Sequence, residues 1–238
     1  MKALSFDTLP TGAGNGCAFS PDGTYLAVVY DESPYLSIYK WDGSTYTKLG
    51  NPTSLPAGIG NGCAFSPDGT YLVVAHDESP FVTVYKRTGD VFTKLADPAV
   101  LPTGAGNGCV FSADGIYLAV AHNSTPYITI YKRNGDVFTK LTNPASLPTI
   151  NGRCCAFSAD GVYLVIGNTS LTQQPPSSYI NIYKRSGDTF TKLMNPSTLP
   201  SNAVRGCSFS PDGVYLALAS HNEQSLIYKR TGDVFTAL

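Results

Sequence analysis

The sequence predicts an all-β protein, a five-bladed β-propeller with four antiparallel strands in each blade. The first observation is a repeated octapeptide: Gly-Cys-Ala-Phe-Ser-Pro-Asp-Gly begins at Gly16 and again at Gly62, with variants from Gly108, Cys154 and Gly206. The second is the spacing of the turn glycines, which is 46 residues three times and then 52, at Gly23, Gly69, Gly115, Gly161 and Gly213. Regular repeats of this length are typical of propellers and related repeat architectures.

The second repeat predicts four short strands, a to d, over residues 63–66, 71–75, 81–85 and 91–95. The turn Pro67-Asp68-Gly69 separates strand a from strand b, because Asp tolerates turn conformations and Gly adopts positive φ. Residues 71–75 are β-branched and aromatic, and residues 81–85 alternate with a period of two. No segment of the repeat shows the 3.6-residue apolar period of a helix.

Four such strands expose two apolar faces, and sheets packed face to face around an axis bury both. We therefore expect a closed ring forming one domain, with blades over residues 10–52, 53–98, 99–144, 145–196 and 197–238. Residues 1–4 are similar to the end of strand d, because Lys2-Ala3-Leu4 echoes Thr47-Lys48-Leu49. We expect this segment either to add to the last blade or to leave closure to side-chain packing.

Several motifs resemble those of the WD40-like family and related propeller repeats. They are the Phe-Ser-Pro-Asp-Gly turn, the following Tyr-Leu-Ala-Val strand and the Ile-Tyr-Lys segment, which recur with variations in all five copies. The Gly-His and Trp-Asp pairs of true WD40 repeats are missing, the latter at Tyr39-Lys40 and its equivalents. The resemblance implies a propeller fold over nearly the whole chain.

Charge and hydropathy narrow the function classes. Sixteen Lys and Arg residues oppose seventeen Asp and Glu residues and recur with the repeat, so we expect no basic stripe and no nucleic-acid partner. The longest apolar stretches resemble residues 25–30, which are too short to span a bilayer, and no signal peptide is evident. The predicted location is the cytoplasm, a virion or another assembly.

Five of the six cysteines share one position of the repeat: Cys17, Cys63, Cys109, Cys155 and Cys207. Neighbouring blades hold equivalent residues too far apart for a disulfide, so we interpret these residues as free thiols that act as small apolar side chains. We expect no metal site and no cofactor, since neither the cysteines nor the histidines have ligand spacing with other groups.

One candidate binding site lies at the mouth of the axial channel. The residues two positions before the repeated cysteine enter strand a together, and they are Asn15, Asn61, Asn107, Arg153 and Arg205. Their amide and guanidinium groups are suited to a carboxylate, a phosphate or sugar hydroxyls. The alternative is structural: the Asn residues cap Gly-Asn-Gly turns and the Arg residues are solvated.

The b–c and d–a loops share one face of the propeller, and they vary more than the turns opposite. Loops on a rigid scaffold commonly carry binding function. The candidate partner-binding residues on this face are Asp31, Glu32, His76, Asp77, Glu78, His122, Gln173 and Gln174. The expected partner is a protein or a glycan.

We therefore expect a non-catalytic module that engages a macromolecule through this loop face. Two alternatives are a multivalent lectin-like propeller, with aromatic residues such as Tyr35, Phe81 and Tyr127 stacking on sugars, and a structural subunit of a virion or filament. The least favoured alternative is a hydrolase or lyase with one axial pocket. That alternative would depend on the asymmetric fourth and fifth copies, which contain Arg153, Cys154, Arg205 and the insertion at residues 168–178.

Overall fold

Twenty-one β-strands make up the regular structure of the chain in a computed structural model, which describes residues 5–170, 178–222 and 224–238. Blade 1 contains β1 (Ser5–Phe6), β2 (Gly14–Phe19), β3 (Tyr25–Tyr30), β4 (Leu36–Trp41) and β5 (Thr45–Lys48). Blade 2 contains β6 (Gly60–Phe65), β7 (Tyr71–His76), β8 (Val82–Thr88) and β9 (Val91–Lys94). Blade 3 contains β10 (Gly106–Phe111), β11 (Tyr117–His122), β12 (Ile128–Asn134) and β13 (Val137–Lys140).

Blade 4 contains β14 (Gly152–Phe157), β15 (Tyr163–Asn168), β16 (Ile180–Ser186) and β17 (Thr189–Lys192). Blade 5 contains β18 (Val204–Phe209), β19 (Tyr215–Ser220), β20 (Leu226–Thr231) and β21 (Val234–Ala237). Every blade is an antiparallel meander in chain order, and β1 adds to blade 1 as a fifth, parallel strand. The prediction of an all-β, five-bladed propeller is confirmed.

The repeated sequence forms each blade through its turns. In blade 2, the Ser66 hydroxyl donates to Asp68 and accepts from the Tyr71 amide at 2.9 Å, while the Thr70 amide also donates to Asp68. Gly69 takes a φ of 66°, which suits a residue without a Cβ. The repeated aspartates of these turns therefore shape the chain, as the sequence indicates.

The starts of two strands differ from the predictions for blade 2, and the end of each strand differs by one to three residues. Strand c begins at Val82 because Phe81 has a left-handed φ of 67°, which does not continue a strand. Strand a begins earlier, at Gly60, and contains a β-bulge between Gly60 and Gly62. A Cβ at Gly60 would lie 2.7 Å from the Tyr35 carbonyl oxygen, so this strand can enter beside blade 1 only with glycine there.

The hydrophobic core is divided into layers between neighbouring blades. One layer packs Tyr25 and Ile38 of blade 1 against Leu72 and Phe92 of blade 2, and three further layers repeat this arrangement up to blade 5. Four cysteines of the repeated position, Cys63, Cys109, Cys155 and Cys207, pack against these layers, whereas Cys17 is exposed. All six cysteines are free thiols. The Cys63 thiol, for example, lies 3.8 Å from the Ala27 carbonyl oxygen of blade 1.

The ring does not close in the way that the repeats suggest. The inner strands of blades 1 to 5 pack against one another in sequence, but the described residues show no comparable packing between β18 and β2. Residues 1–4, which we expected at the last blade, lie outside the described part of the chain. The adjoining β1 pairs with β5, the outer strand of blade 1.

Candidate functional site

The mouth of the axis gathers the five side chains that the sequence singles out. A cavity of about 220 Å³ is lined there by inner-strand residues of all five blades, and its polar side chains are those of Asn15, Asn61, Asn107, Arg153 and Arg205. Each belongs to the bulged start of an inner strand. The structure thus brings together all the residues of this predicted site.

The three asparagines are held in place by the blade that follows. Asn15, Asn61 and Asn107 donate through Nδ2 to the carbonyl oxygens of Gly60, Gly106 and Gly152 at 3.1, 3.0 and 2.8 Å. These bonds link blades and do not cap local turns, which corrects the structural alternative. Each amide oxygen remains an acceptor oriented by a fixed amide.

Arg153 and Arg205 take the same position on blades 4 and 5, and both side chains are exposed. They bring two guanidinium groups to one side of a mouth whose other side presents amides. The described lining contains no Asp, Glu or His. The mouth is therefore a positively charged, asymmetric cup suited to a small ligand with an anionic or strongly polarised oxygen.

Cysteines line the floor of the same cavity. Cys154 and Cys155 follow Arg153, and burial raises the pKa of the Cys155 thiol well above its ordinary value. Cys207 lies outside the cavity lining, and its pKa is raised first by its hydrogen bond with Cys154 and then by burial. Burial also raises the pKa of the Cys63 and Cys109 thiols in the lining, so these four thiols are held protonated and behave as apolar groups at neutral pH.

The two histidines proposed as partner-binding residues are inside the sheets. His76 and His122 are fully buried, and their Nε2 atoms share hydrogen bonds with Thr83 and Thr129 at 2.9 and 3.0 Å. Desolvation lowers the pKa of both imidazoles to about 4. Neither side chain is available to a partner, so their assignment to a binding surface is wrong.

The same buried position carries other polar pairs in blades 1 and 4. Tyr30 and Ser37 share a hydrogen bond of 2.9 Å, and Asn181 donates to Asn168 at 2.7 Å. The histidines therefore belong to a structural series that joins strands b and c. Sequence alone missed this because the residue ends strand b, where a polar residue resembles the start of a loop.

The acidic loop residues lie on the expected face. Asp31 accepts the Ala13 amide at 2.7 Å, so the b–c loop of blade 1 supports the d–a connection that leads to the mouth. Asp31, Glu32 and Glu78 are exposed and Asp77 is half-buried. Gln173 and Gln174 lie outside the described residues. The use of these loops in partner binding stays a prediction.

Two outer grooves also repeat around the ring. They measure about 350 and 290 Å³ and lie between a d–a connection and the outer strand of the next blade, at residues 142–146 with 188–192 and residues 96–100 with 136–140. Both contain the same types of turn and strand residues. The mouth is the stronger candidate site because it alone, among the described cavities, combines five blades and two guanidinium groups.

No cluster of three or more His, Cys, Asp or Glu side chains suited to a metal ion occurs in residues 5–170, 178–222 and 224–238. The same residues include no helix of the length and hydropathy that crossing a bilayer requires.

Comparison of the fold with solved structures finds similar propellers at low sequence identity. A hydrazine synthase of Kuenenia stuttgartiensis matches with a TM-score of 0.74 and 17% identity, over 94% of this chain and 65% of that one. A periplasmic gluconolactonase of Pseudomonas aeruginosa, PpgL, matches with a TM-score of 0.70 and 18% identity, over 94% of this chain and 70% of that one. No protein-family model and no curated protein sequence matches the chain.

These similarities correct the expected function. Both solved propellers are named as enzymes, which overturns the prediction of a non-catalytic binding module. The names give no support to the lectin or assembly alternatives.

Proposed function

We propose that the protein is a hydrolase that opens small lactones at the axial mouth. The observation that carries the proposal is the convergence of Arg153 and Arg205 with three oriented asparagines in one cavity of about 220 Å³. The similarity in fold to a gluconolactonase supports the choice of lactones among substrates with a polarised carbonyl. We also propose that the blades are related to WD40-like repeats, because they share the Phe-Ser-Pro-Asp-Gly turn.

The residues of the mouth suit the charge changes of this reaction. A water molecule attacks the carbonyl carbon, the carbonyl electron pair moves to oxygen, and Arg153 and Arg205 stabilise the resulting oxyanion. The ring C–O bond then breaks, the leaving oxygen takes a proton, and the product is a hydroxycarboxylate with one proton released to solvent. Fixed donors at the developing charge lower the activation barrier effectively. Each donor commonly raises the rate by a factor of about 10² to 10³.

The asparagines have a positioning role in this proposal. Each Nδ2 already donates one hydrogen to Gly60, Gly106 or Gly152, which orients the amide and leaves its oxygen as an acceptor. An acceptor oxygen binds either a sugar hydroxyl or the attacking water. No acidic or imidazole group lines the described mouth, so solvent water carries the proton transfers.

The repeats supply a matched variant for the test. Replacing Arg153→Asn and Arg205→Asn gives blades 4 and 5 the residue that blades 1 to 3 use at this position. We expect the double variant to keep its unfolding temperature and to lose at least about 100-fold in kcat/KM, since two oxyanion donors are removed. Acid release from gluconolactone and related aldonolactones, measured with a pH indicator after subtraction of spontaneous hydrolysis, gives the rates.

Lys192→Asn is a suitable control, because it removes a half-buried cation of the outer groove and leaves the mouth intact. Equal rates for the wild type and the Asn double variant would reject the mouth as the active site. Wild-type rates no higher than spontaneous hydrolysis across the lactone panel would reject the proposed activity.

A further inference from the structure

Four joints between blades share one polar cluster, which we call the joint cluster. In the joint between blades 2 and 3, the Tyr71 hydroxyl donates to Asp136, and Lys86 pairs with the same carboxylate at 2.8 Å. The Arg133 guanidinium lies 4.8 Å from the centre of the Tyr71 ring and 3.6 Å from Asp68. One blade thus supplies Asp, Tyr and Lys, and the next blade supplies Arg and, three residues later, Asp.

The Lys–Asp and Arg–Tyr contacts of the cluster recur at the other three joints. The Arg–Asp pair recurs at two of them, as Arg185–Asp114 at 3.1 Å and Arg230–Asp160 at 2.9 Å, whereas Arg87 at the joint between blades 1 and 2 donates to the Gly69 carbonyl oxygen and forms no ion pair with Asp22. The Lys–Asp distance is 2.8 Å each time, for Lys40–Asp90, Lys132–Asp188 and Lys184–Asp233. The Arg–Tyr distance is 4.6 to 4.8 Å, for Arg87–Tyr25, Arg185–Tyr117 and Arg230–Tyr163. These repetitions define what a blade of this chain requires from the blade that follows it.

The open face of blade 5 presents the first half of this cluster without the second. Asp212, Tyr215 and Lys229 occupy the positions of Asp160, Tyr163 and Lys184. Within the described residues, Asp212 and Lys229 form no ion pair, and no Arg lies over the Tyr215 ring. The carboxylate of Asp212 is bound only by its own turn, through the Ser210 hydroxyl and the Val214 amide.

The apolar part of the same face is also uncovered. Tyr215 is 39% exposed where Tyr163 is 4% exposed, and Ile227 is 46% exposed where Ile182 is 2% exposed. A shallow groove of about 380 Å³ runs beside them, lined in part by Ala217 and Ala219. An apolar sheet face with a complete polar half-cluster at its rim is a surface shaped for another blade.

Blade 1 does not supply the missing half. Where blades 2 to 5 carry Arg and Asp in the c–d hairpin, blade 1 has Trp41 and Ser44. Trp41 packs on Tyr46 with ring centres 4.8 Å apart, and Phe6 of β1 stacks on the same ring at 5.3 Å. The free side of blade 1 is therefore aromatic and lacks the cation and anion that Tyr215, Asp212 and Lys229 would bind.

We propose that the open face of blade 5 is the docking surface for a four-stranded blade of another polypeptide, whose c–d hairpin carries Arg and, three residues later, Asp. The Arg would lie over Tyr215 and pair with Asp212, and the Asp would accept the Tyr215 hydroxyl and pair with Lys229. Charge complementarity and continuation of the four existing joints select this occupant over blade 1 of a second copy.

A two-residue change in the full chain tests this chemistry. Trp41→Arg with Ser44→Asp gives blade 1 the hairpin of the other blades, so that it becomes the occupant that we propose. We expect the variant either to close on its own blade 5, with a Tm about 3 °C or more above that of the wild type, or to associate with wild-type chains in sedimentation velocity. A Tm that rises with protein concentration distinguishes association from closure.

The control adds Asp212→Asn and Lys229→Ala to the same variant, which removes the half-cluster from blade 5. Loss of the Tm gain or of the association in this control supports the proposal. A variant that stays monomeric with an unchanged Tm would overturn it, and so would an equal gain in the control. Self-association of the wild type that Tyr215→Ala abolishes would assign the surface to a second copy and overturn the proposed occupant.

Discussion

The joint between blades 3 and 4 and the open face of blade 5 are built from nearly the same residues, yet they differ in burial and in hydrogen bonding. Tyr117 is 3% exposed and donates to Asp188 at 2.6 Å, whereas Tyr215, at the same position of the repeat, is 39% exposed. A residue of the repeat therefore becomes buried and hydrogen-bonded only where another blade follows. Each blade provides one side of an interface. The next blade along the chain provides the other side, and the two together form a buried core layer.

Packing and charge contribute differently to the filled joints. The Tyr117 ring meets Phe190 edge to face at 5.8 Å and lies in a buried layer with Ile130 and Leu164. The Lys132–Asp188 pair at the rim is nearly half exposed. Burial of apolar area is the larger source of stability, and exposed ion pairs add little. The polar cluster therefore mainly selects which blade can follow.

The largest effect of a single substitution is expected from removing the tyrosine at a filled joint. Tyr117→Ala should lower the free energy of unfolding by about 3 to 5 kcal/mol, because it leaves a cavity in a buried layer and removes the hydrogen bond to Asp188. Tyr215→Ala at the open face should cost less than about 1 kcal/mol. Urea unfolding of the two variants beside the wild type measures the difference. Equal losses would mean that the face of blade 5 is covered in solution.

The second expected effect is a loss of stability at acid pH, which arises in blades 2 and 3 but not in blade 4. His76 and His122 are buried with pKa values of about 4, below the ordinary 6.5, so folding favours the neutral imidazole. Their contribution is complete above pH 6.5 and is lost as the pH falls towards 4, by roughly 3 kcal/mol for each histidine. Thermal unfolding between pH 7 and pH 4 follows this loss.

Blade 4 provides the control for that experiment. Changing His76→Asn with Thr83→Asn, and His122→Asn with Thr129→Asn, copies the pair Asn168 and Asn181 into blades 2 and 3. The fourfold variant should lose most of its acid sensitivity between pH 6.5 and 4. A pH profile parallel to that of the wild type would show that other groups, such as the aspartates of the turns, cause the loss.

The smallest effect concerns the lysine of the joint cluster. Lys86→Ala removes the 2.8 Å pair with Asp136 and should lower the free energy of unfolding only slightly, with a smaller loss at high salt, because the pair is 40 to 45% exposed. Lys229→Ala removes the equivalent residue at the open face and should change the stability by less than about 0.2 kcal/mol. Urea unfolding at low and high salt resolves the pair of variants. A larger loss of unfolding free energy for Lys229→Ala than for Lys86→Ala would contradict the difference that we expect between the open face and the filled joint.

Much of the fold could be predicted because the signals are local and repeated five times. The Ser-Pro-Asp-Gly turn and the alternation of strand c determine the fold of each blade. Asn15 and Arg153 hold the same position on their inner strands, and this position places both side chains at the axis. The open joint could not be predicted from the same signals, since it depends on packing between the first and last copies. Trp41 and Ser44, which replace the Arg and Asp of other copies, are the sequence signal that would have indicated it.

The sequence predicts that the five polar side chains of the mouth lie together, but it does not predict their hydrogen bonds. The position of Asn107 in the repeat places it at the mouth, but the bond from its amide to Gly152 depends on the bulge of the next inner strand. The burial of His122 likewise depends on strand c, whose Thr129 lies opposite it. Periodicity locates such residues along a strand, and the neighbouring strand decides which polar atoms remain free.

Trp41 gives the open joint an optical signature. It is the single tryptophan of the chain, it is half-buried, and it lies at the free side of blade 1 against Tyr46. Tryptophan fluorescence of the protein therefore originates from one edge of the propeller. The wavelength of its emission maximum depends on the solvent exposure of that edge alone. A spectroscopist who excites this indole observes the gap in the ring, while the four filled joints, which have no indole, contribute nothing to the signal.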